Sequence, residues 1–175
     1  PNRLVPLYTD GTHAIHQSLA IIEYLDEIQE NPPLLPLSAI DRGWVRAVAM
    51  DVAIEIHPLN NLRVLRYLMK TLGVSPEAKD VWSQHWMTVG LESLEKQLST
   101  DARVGRFAYG DQPGLIDICL APQIFNALSV KMDMKAYPTL MGIFHQCMVL
   151  PAFIEASWEN QIDAEGSNPF APPQE

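Results

Sequence analysis

The sequence has only two cysteines, and this scarcity limits the classes of protein to which it can belong. Cys119 and Cys147 are far apart, lie outside any CxxC spacing and fall in apolar stretches. Two such cysteines do not form a disulfide framework. We interpret both as reduced core residues of a cytoplasmic protein, because disulfides are rare in the cytosol and free cysteine packs as a small apolar residue. Reactive thiols are the alternative interpretation.

Long apolar runs and clustered cations are also missing. No stretch reaches the roughly 18 continuous apolar residues that a transmembrane helix requires, so we expect no membrane partner. Lysine and arginine together number 12 against 21 aspartates and glutamates, which gives a net charge of -9. A nucleic-acid partner is therefore not expected, since phosphate binding needs clustered cations.

The 5 histidines show no HExxH or paired ligand spacing, so no metal site is expected.

What the sequence does contain is enough apolar side chain, 47% of 175 residues, for a well-packed core. Residues 1–30 predict a hairpin followed by a helix. A strand-like run covers residues 4–9, and Pro6 confines it to a sheet edge or a sharp bend because proline lacks a backbone donor. Asp10-Gly11 is a strong hairpin turn signal, and a very short second strand is expected to follow it. The helix is expected to begin near Gln17.

A proline-rich connection over residues 31–38 is expected to separate this unit from a helical domain over residues 39–159. Ser38 is a candidate N-cap for the first helix of that domain, with Asp41 as its capping-box partner. The tail over residues 160–175 is rich in proline, glycine and acids, and we expect it to be loose.

Helical periodicity dominates the second domain. One long pattern is interrupted at Pro58, where we expect a kink, and Gly73 is expected to cap its end. We expect Asp117 to tie the start of a later helix to the loop that precedes it. Further helices are predicted to begin near Ser75, Leu115, Tyr137 and Pro151.

Several short motifs in combination resemble one family. They are Val5-Pro6, Gln17-Ser18, the run from His57 to Leu65 (HPLNNLRVL), Gly110-Asp111, the run from Cys119 to Gln123 (CLAPQ), Asn126-Ala127 and Tyr137-Pro138-Thr139. Over nearly the whole chain they resemble the zeta-class glutathione transferases, which include the maleylacetoacetate and maleylpyruvate isomerases. The resemblance implies the glutathione-transferase fold, with a partial thioredoxin-like α/β domain followed by an all-α helical domain.

The same resemblance implies an activity, a cofactor and a partner. The activity is glutathione-dependent cis–trans isomerisation of maleylacetoacetate or maleylpyruvate in the breakdown of aromatic amino acids or other aromatic compounds. Glutathione is then a cofactor, and the substrate is a small dicarboxylic diketo-acid. The family also implies a homodimer, in which the thioredoxin-like domain of one subunit packs on the helical domain of the other. The sequence does not choose between the two substrates.

The resemblance assigns Val5, Gln17 and Ser18 to glutathione binding. A residue before proline is pushed to extended geometry, and its backbone can pair with a peptide such as glutathione as an added strand would. The family implies a cis bond between Val5 and Pro6. The N-terminus of a helix favours carboxylates, so Gln17 and Ser18 are expected to hold the γ-glutamyl group. The alternatives are an ordinary edge proline and a plain N-cap.

The resemblance also places His57, Asn61 and Arg63 in the pocket next to glutathione. A kink frees backbone groups and can aim side chains into a cleft. Arg63 offers a bidentate fork for a carboxylate. The alternative is that His57 is a satisfied core histidine and Arg63 a surface ion-pair partner.

Two departures from the family pattern keep other functions open. The class carries a Ser-Ser-Cys type motif nearest the glutathione sulfur, and its position falls before Pro1, so we expect no catalytic residue in this chain. Because the sequence begins without methionine and directly in a strand-like run, we expect it to be a fragment. Family members usually have an arginine that reaches toward substrate where this chain has Ser129. A general glutathione transferase acting on small electrophiles, or a non-catalytic glutathione-binding module, are the alternatives.

Overall fold

The computed structural model describes residues 5–29, 32–162 and 164, and its first element is a two-stranded antiparallel sheet. Strand β1 (Leu7–Thr9) pairs with strand β2 (Ala14–His16). The turn between them has Gly11 at a φ of 89°, and Asp10 accepts hydrogen bonds from two of the following backbone N–H groups. The hairpin predicted at this dipeptide is confirmed.

Helices account for most of the remaining described chain. They are α1 (Ser18–Ile28), α2 (Ala39–Met50), α3 (Leu62–Lys70), α4 (Pro76–Leu98), α5 (Leu115–Ser129), α6 (Pro138–Met148) and α7 (Pro151–Ala156), with short 3₁₀ turns at Met134–Ala136 and Trp158–Asn160. The predicted helix starts are confirmed. The loose tail predicted for residues 160–175 lies outside the described residues, apart from positions 160–162 and 164.

The break between α2 and α3 is longer than the kink predicted at Pro58. The chain leaves α2 as a π-helix over Asp51–Ile56 and then forms a 3₁₀ helix over His57–Asn60. Proline explains the second part, because its ring disrupts the preceding helical turn, but it does not explain a π-helix that begins earlier. Such turns are rare and frequently lie at functional sites. Gly73 ends α3 at a φ of 66°, as predicted.

The capping box predicted for Ser38 and Asp41 is wrong. Ser38 is the N-cap of α2, but its side chain makes no capping hydrogen bond. Asp41 instead lies 3.8 Å from the guanidinium of Arg103. That guanidinium also contacts the carboxylate of Asp101 at 2.9 and 2.7 Å and lies 4.1 Å from the centre of the Trp44 ring. Asp41 therefore contributes to a surface cluster whose other charged members come from a distant loop.

The core lies between α2, the π-helix, α4, α5 and α6. Each of these five elements contributes a buried side chain, for example Val48, Ile56, Leu91, Ile124 and Leu140 in that order. Burying an aliphatic side chain of this size stabilises the fold by roughly 1.5–3 kcal/mol. Helix α1 joins this core through partly buried apolar side chains on one of its faces, Leu19 and Ile22.

Polar contacts fix α1 and the connection after it to the helical domain. Arg46 of α2 binds the carboxylate of Glu23 in a bidentate manner at 2.9 and 2.8 Å, and this hydrogen bonding lowers the pKa of Glu23. The backbone N–H of Leu34 donates to the carboxylate of Asp26 at 2.7 Å, and the carbonyl of Leu34 accepts from the N–H of Leu115 at 3.2 Å. The backbone of Leu34 therefore ties the middle of the proline-rich connection to α1 on one side and to the start of α5 on the other.

Two carboxylates satisfy helix N-termini in this domain. The oxygens of Asp117 accept from the N–H groups of Ala108 at 2.9 Å and Gly114 at 2.8 Å, which confirms that it ties α5 to the preceding loop. Burial nevertheless raises the pKa of Asp117. The oxygens of Glu95, on α4, accept from the first free N–H groups of α6 at 3.0 Å each. An acid on one helix therefore caps another.

Gly90 of α4 lies against the π-helix at a distance that excludes a side chain. A Cβ atom there would lie 2.2 Å from Cγ1 and 2.4 Å from Cδ1 of Ile56. Ile56 is 1% exposed, so its side chain cannot move aside into solvent. The glycine thus sets how closely α4 approaches the break after α2.

We expect Gly90→Ala to lower the free energy of unfolding by up to about 2 kcal/mol, because overpacking a closed core costs about 1–3 kcal/mol and the gain in helix propensity offsets about 1 kcal/mol of that. Gly142→Ala in α6 is the matched control, since a Cβ there meets nothing within 4 Å. It should leave stability unchanged or raise it by up to about 1 kcal/mol. Urea unfolding of both variants measures the difference, and equal stability would contradict the packing argument.

Candidate functional site

The hairpin brings Val5, Gln17 and Ser18 to the same end of the sheet. Leu7 is paired with His16, so the residues just before β1 and just after β2 lie beside each other. Val5 and Pro6 are joined by a cis peptide bond, as the resemblance implied. Val5 is 94% exposed, and its backbone N–H and C=O have no hydrogen-bond partner in the described part of the chain. An extended peptide can therefore pair with it.

Gln17 is the N-cap of α1 and has an unusual backbone conformation. Its φ is 76° and its ψ is 123°, a region that residues other than glycine rarely occupy. Sparsely populated conformations of this kind cost on the order of 1–3 kcal/mol and occur preferentially at functional sites. Neither Gln17 nor Ser18 makes a side-chain capping hydrogen bond to the helix. The N-cap alternative for Ser18 is therefore not what the structure shows, and the first N–H groups of α1 are available to an anion.

His57, Asn61 and Arg63 lie together on a second element, at the end of the break and the start of α3. His57 opens the 3₁₀ helix with an exposed side chain, and partial desolvation lowers its pKa. Asn61 is the N-cap of α3, where its Oδ1 accepts from the N–H of Arg63 at 3.1 Å. The Arg63 side chain is exposed and makes no ion pair with any described residue. The alternative of a surface ion pair is therefore not seen.

Helix α4 holds this element at two points, and neither was predicted from the sequence. The indole N–H of Trp82 donates to the carbonyl of Leu59 at 2.8 Å, and Gly90 contacts Ile56. The Asn60 amide adds a hydrogen bond to the Ile56 carbonyl at 3.2 Å. These contacts flank His57 on both sides. A tryptophan and a glycine within a long helix give no sequence signal for such a role.

No hydrogen bond or ion pair joins the hairpin residues to the His57–Arg63 group among the residues described. A cavity of about 310 Å³ lies elsewhere, between the proline-rich connection (Pro32–Leu37) and the segment Tyr109–Asp117. None of the residues predicted to bind glutathione lines it. The two groups remain the candidate site, since they carry an exposed extended backbone, a helix N-terminus without a side-chain cap and an arginine with no ion-pair partner among the described residues.

Outside these two groups, the described cysteines and Ser129 show no sign of a catalytic role. Burial raises the pKa of Cys119 to about 11 and that of Cys147 to about 12, so both thiols stay protonated at neutral pH. Both are free cysteines, as predicted. The Ser129 hydroxyl donates to the carbonyl of Asn126 at 2.7 Å. Within residues 5–29, 32–162 and 164, no group of three potential ligands could hold a metal ion, and no helix is long and apolar enough to cross a membrane.

No family model matches the chain. Individual relatives do match it, over most of their own length. The chain is 46% identical over 164 residues to the probable maleylacetoacetate isomerase of Vibrio cholerae serotype O1. The matched region covers 94% of this chain and 75% of that protein. It is 39% identical over 164 residues to the maleylpyruvate isomerase of a Ralstonia species, covering 94% of this chain and 77% of that protein.

Solved structures match the fold as well. The holo structure of a maleyl pyruvate isomerase, described as a bacterial glutathione transferase of the zeta class, superposes with a TM-score of 0.90 at 39% identity. The match covers 93% of this chain and 76% of that one. A maleylacetoacetate isomerase from Anaeromyxobacter dehalogenans 2CP-1, with glutathione bound in its active site, gives a TM-score of 0.85 at 36% identity over 94% of this chain and 76% of that one.

Identity at this level over three quarters of the relatives' length, together with the superposition, establishes both the fold and the ancestry. The glutathione-transferase fold expected from the motifs is confirmed, as is the resemblance itself. The chain belongs to the zeta-class glutathione transferases, the family of the maleylacetoacetate and maleylpyruvate isomerases.

Proposed function

We propose that the protein is a glutathione-dependent cis–trans isomerase that acts on maleylacetoacetate or maleylpyruvate. The observation that carries this proposal is the 46% identity to a probable maleylacetoacetate isomerase over 164 residues. The arrangement of Val5, Gln17 and Ser18 supports it, because an unpaired extended backbone beside an uncapped helix N-terminus suits a small acidic peptide.

Glutathione fits the residues that the structure places at the end of the hairpin. The free N–H and C=O of Val5 would pair with the peptide backbone of glutathione, and the first N–H groups of α1 beside Ser18 would hold its γ-glutamyl carboxylate. Bound glutathione supplies a thiol whose ionised form adds reversibly to an activated double bond and so permits rotation about it. Ionisation of a thiol requires nearby donors or positive charge.

The chain's own residues bind and orient the reactants. Arg63 provides a bidentate donor pair for a carboxylate of the diketo-acid, and its exposed, unpaired guanidinium is ready to do so without breaking another contact. Desolvation lowers the pKa of His57, which favours the neutral imidazole, and in that form the ring can donate or accept a hydrogen bond. Asn61 positions the start of α3 and keeps its amide group free to donate.

We also propose that the protein is a cytoplasmic homodimer. The free cysteines support the location, since disulfides are rare in the cytosol. An exposed apolar side chain near the end of α2, Ile54 at 53% exposure, supports self-association.

A general glutathione transferase is the second candidate. Ser129 favours it, because the hydroxyl is engaged with a carbonyl of its own helix and cannot offer the positive charge of the arginine usual in the family. This candidate shares the glutathione site with the isomerase and differs only in the electrophile.

The protein expressed from its full reading frame should isomerise maleylacetone catalytically in glutathione, with no net loss of thiol. The measurement is the change in ultraviolet absorbance of the diketo-acid, combined with a thiol assay before and after the reaction. Consumption of thiol with halogenated acids, but no turnover of the cis diketo-acid, would favour the general transferase instead.

Ser18→Ala should raise the KM for glutathione about 3–10-fold while leaving stability nearly unchanged, because the hydroxyl makes no bond within the helix and one hydrogen bond contributes about 0.5–1.5 kcal/mol. Ser75→Ala is the matched control. The Ser75 hydroxyl accepts from the N–H of Ala78 at 3.2 Å, so its loss should cost about 1 kcal/mol of stability and leave the KM unchanged. Destabilisation by Ser18→Ala without a change in KM would restore the N-cap alternative.

Asn61→Ser separates the two roles of this residue. Serine caps helices about as well as asparagine, so thermal unfolding should be unchanged to within about 0.5 kcal/mol. The amide is lost, and the dissociation constant for glutathione, measured by calorimetry, should rise about 3–10-fold. A dissociation constant equal to that of the wild type would mean that Asn61 is a helix cap and nothing more.

A further inference from the structure

Within the described part of the chain, lysines and arginines without an ion-pair partner are concentrated on α3. Several cations are already engaged: Arg42 with a backbone carbonyl, and Arg46, Lys79, Arg103 and Arg106 with carboxylates. The other lysines and arginines that the structure describes make no such contact with a described residue; they are Arg63, Arg66, Lys70, Lys96, Lys131 and Lys135. Half of these belong to one helix, α3 (Leu62–Lys70).

The three cations of α3 form a single stripe. Arg63, Arg66 and Lys70 are spaced i, i+3 and i+7, which places them on one face of a helix with 3.6 residues per turn. All three are exposed. We call them the cationic stripe. Their charges therefore add along one line that begins at Arg63, a residue already placed in the site.

The surrounding sequence leaves this charge uncompensated. No aspartate or glutamate occurs between Glu55 and Glu77, although the whole chain carries 21 acids and a net charge of -9. The segment over residues 56–76 therefore carries positive charge only, in a chain whose net charge is -9. A local charge of this kind raises the rate at which oppositely charged ligands arrive by roughly 10-fold to 1000-fold at low ionic strength.

We propose that the cationic stripe steers the dicarboxylic substrate to the site, with Arg66 and Lys70 acting as capture residues beyond the binding contact at Arg63. The inference rests on the proposed function, since it takes the site to lie at the start of α3 and the substrate to be an acid. Arg66 and Lys70 raise the encounter rate through the field and make no contact in the reaction itself.

The position of α3 suits this role. Asn61 caps the helix, and the preceding break is anchored to α4 through Trp82. The stripe is thus fixed relative to His57 and cannot move away from the site as a free loop would. A rigid array gives a lasting potential gradient along which a charged ligand can be drawn.

The test neutralises charge at two places in the protein expressed from its full reading frame. The variant Arg66→Gln/Lys70→Gln removes two charges from the stripe. The control Lys96→Gln/Lys135→Gln removes the same number of charges elsewhere, one of them likewise in the last turn of a helix. Lys96 lies about 21 Å along α4 from Trp82, at about 1.5 Å per residue. The substitutions are exposed and conservative, and thermal unfolding of both variants verifies that they fold.

The readout is kcat/KM for the dicarboxylic diketo-acid at saturating glutathione, measured from about 0.02 to about 0.5 M ionic strength. The stripe variant should lose about 3–10-fold at the lowest ionic strength and match the wild type at the highest, where the Debye length falls to a few ångströms. The control should follow the wild type throughout. With an uncharged electrophile the stripe variant should also follow the wild type.

Three results would overturn the inference while leaving the proposed function intact. They are no loss in the stripe variant, an equal loss in the control, and a loss that persists at high salt. If the wild-type protein neither binds glutathione nor isomerises the acid, the proposed function fails, and steering of that substrate fails with it.

Discussion

The close approach of α4 to the segment that follows α2 is the constraint on which the arrangement of the site depends. Because Gly90 has no side chain, the buried Ile56 can lie directly against α4. From this contact the chain turns through the 3₁₀ helix, where Trp82 holds it a second time. The direction of α3, and with it the positions of the residues that flank its first turn, follows from these two contacts.

Sequence patterns predicted the features that depend on near neighbours. Asp10-Gly11 determines a turn locally, and Gly73 ends a helix because only glycine readily adopts a positive φ. The predicted capping box failed for the opposite reason. Asp41 had the correct spacing for a local hydrogen bond, but the arginine of a distant loop competes for its carboxylate, and such a competitor cannot be read from spacing.

The candidate site shows the same division. Motifs located the residues along the chain, but their surroundings were visible only in the structure. These are the unusual backbone of Gln17, the lack of a capping bond at Ser18 and the position of Asn61 as the cap of α3. The π-helix was missed because it lacks a sequence signature, and its contact with Gly90 of α4 is visible only in the structure. Proline predicted that the helix would break at Pro58, but the break begins at Asp51, where no local residue requires it.

The carboxylate of Glu95 has a consequence for the order in which the chain can fold. It satisfies the N–H groups of Thr139 and Leu140, which lie 44 and 45 residues further along. Helix α6 has no side-chain cap of its own, so its first turn is complete only after α4 has formed and the two have met. The two helices are therefore cooperative partners, and an emerging polypeptide must release the start of α6 from the ribosome before the end of α4 acquires its native contacts.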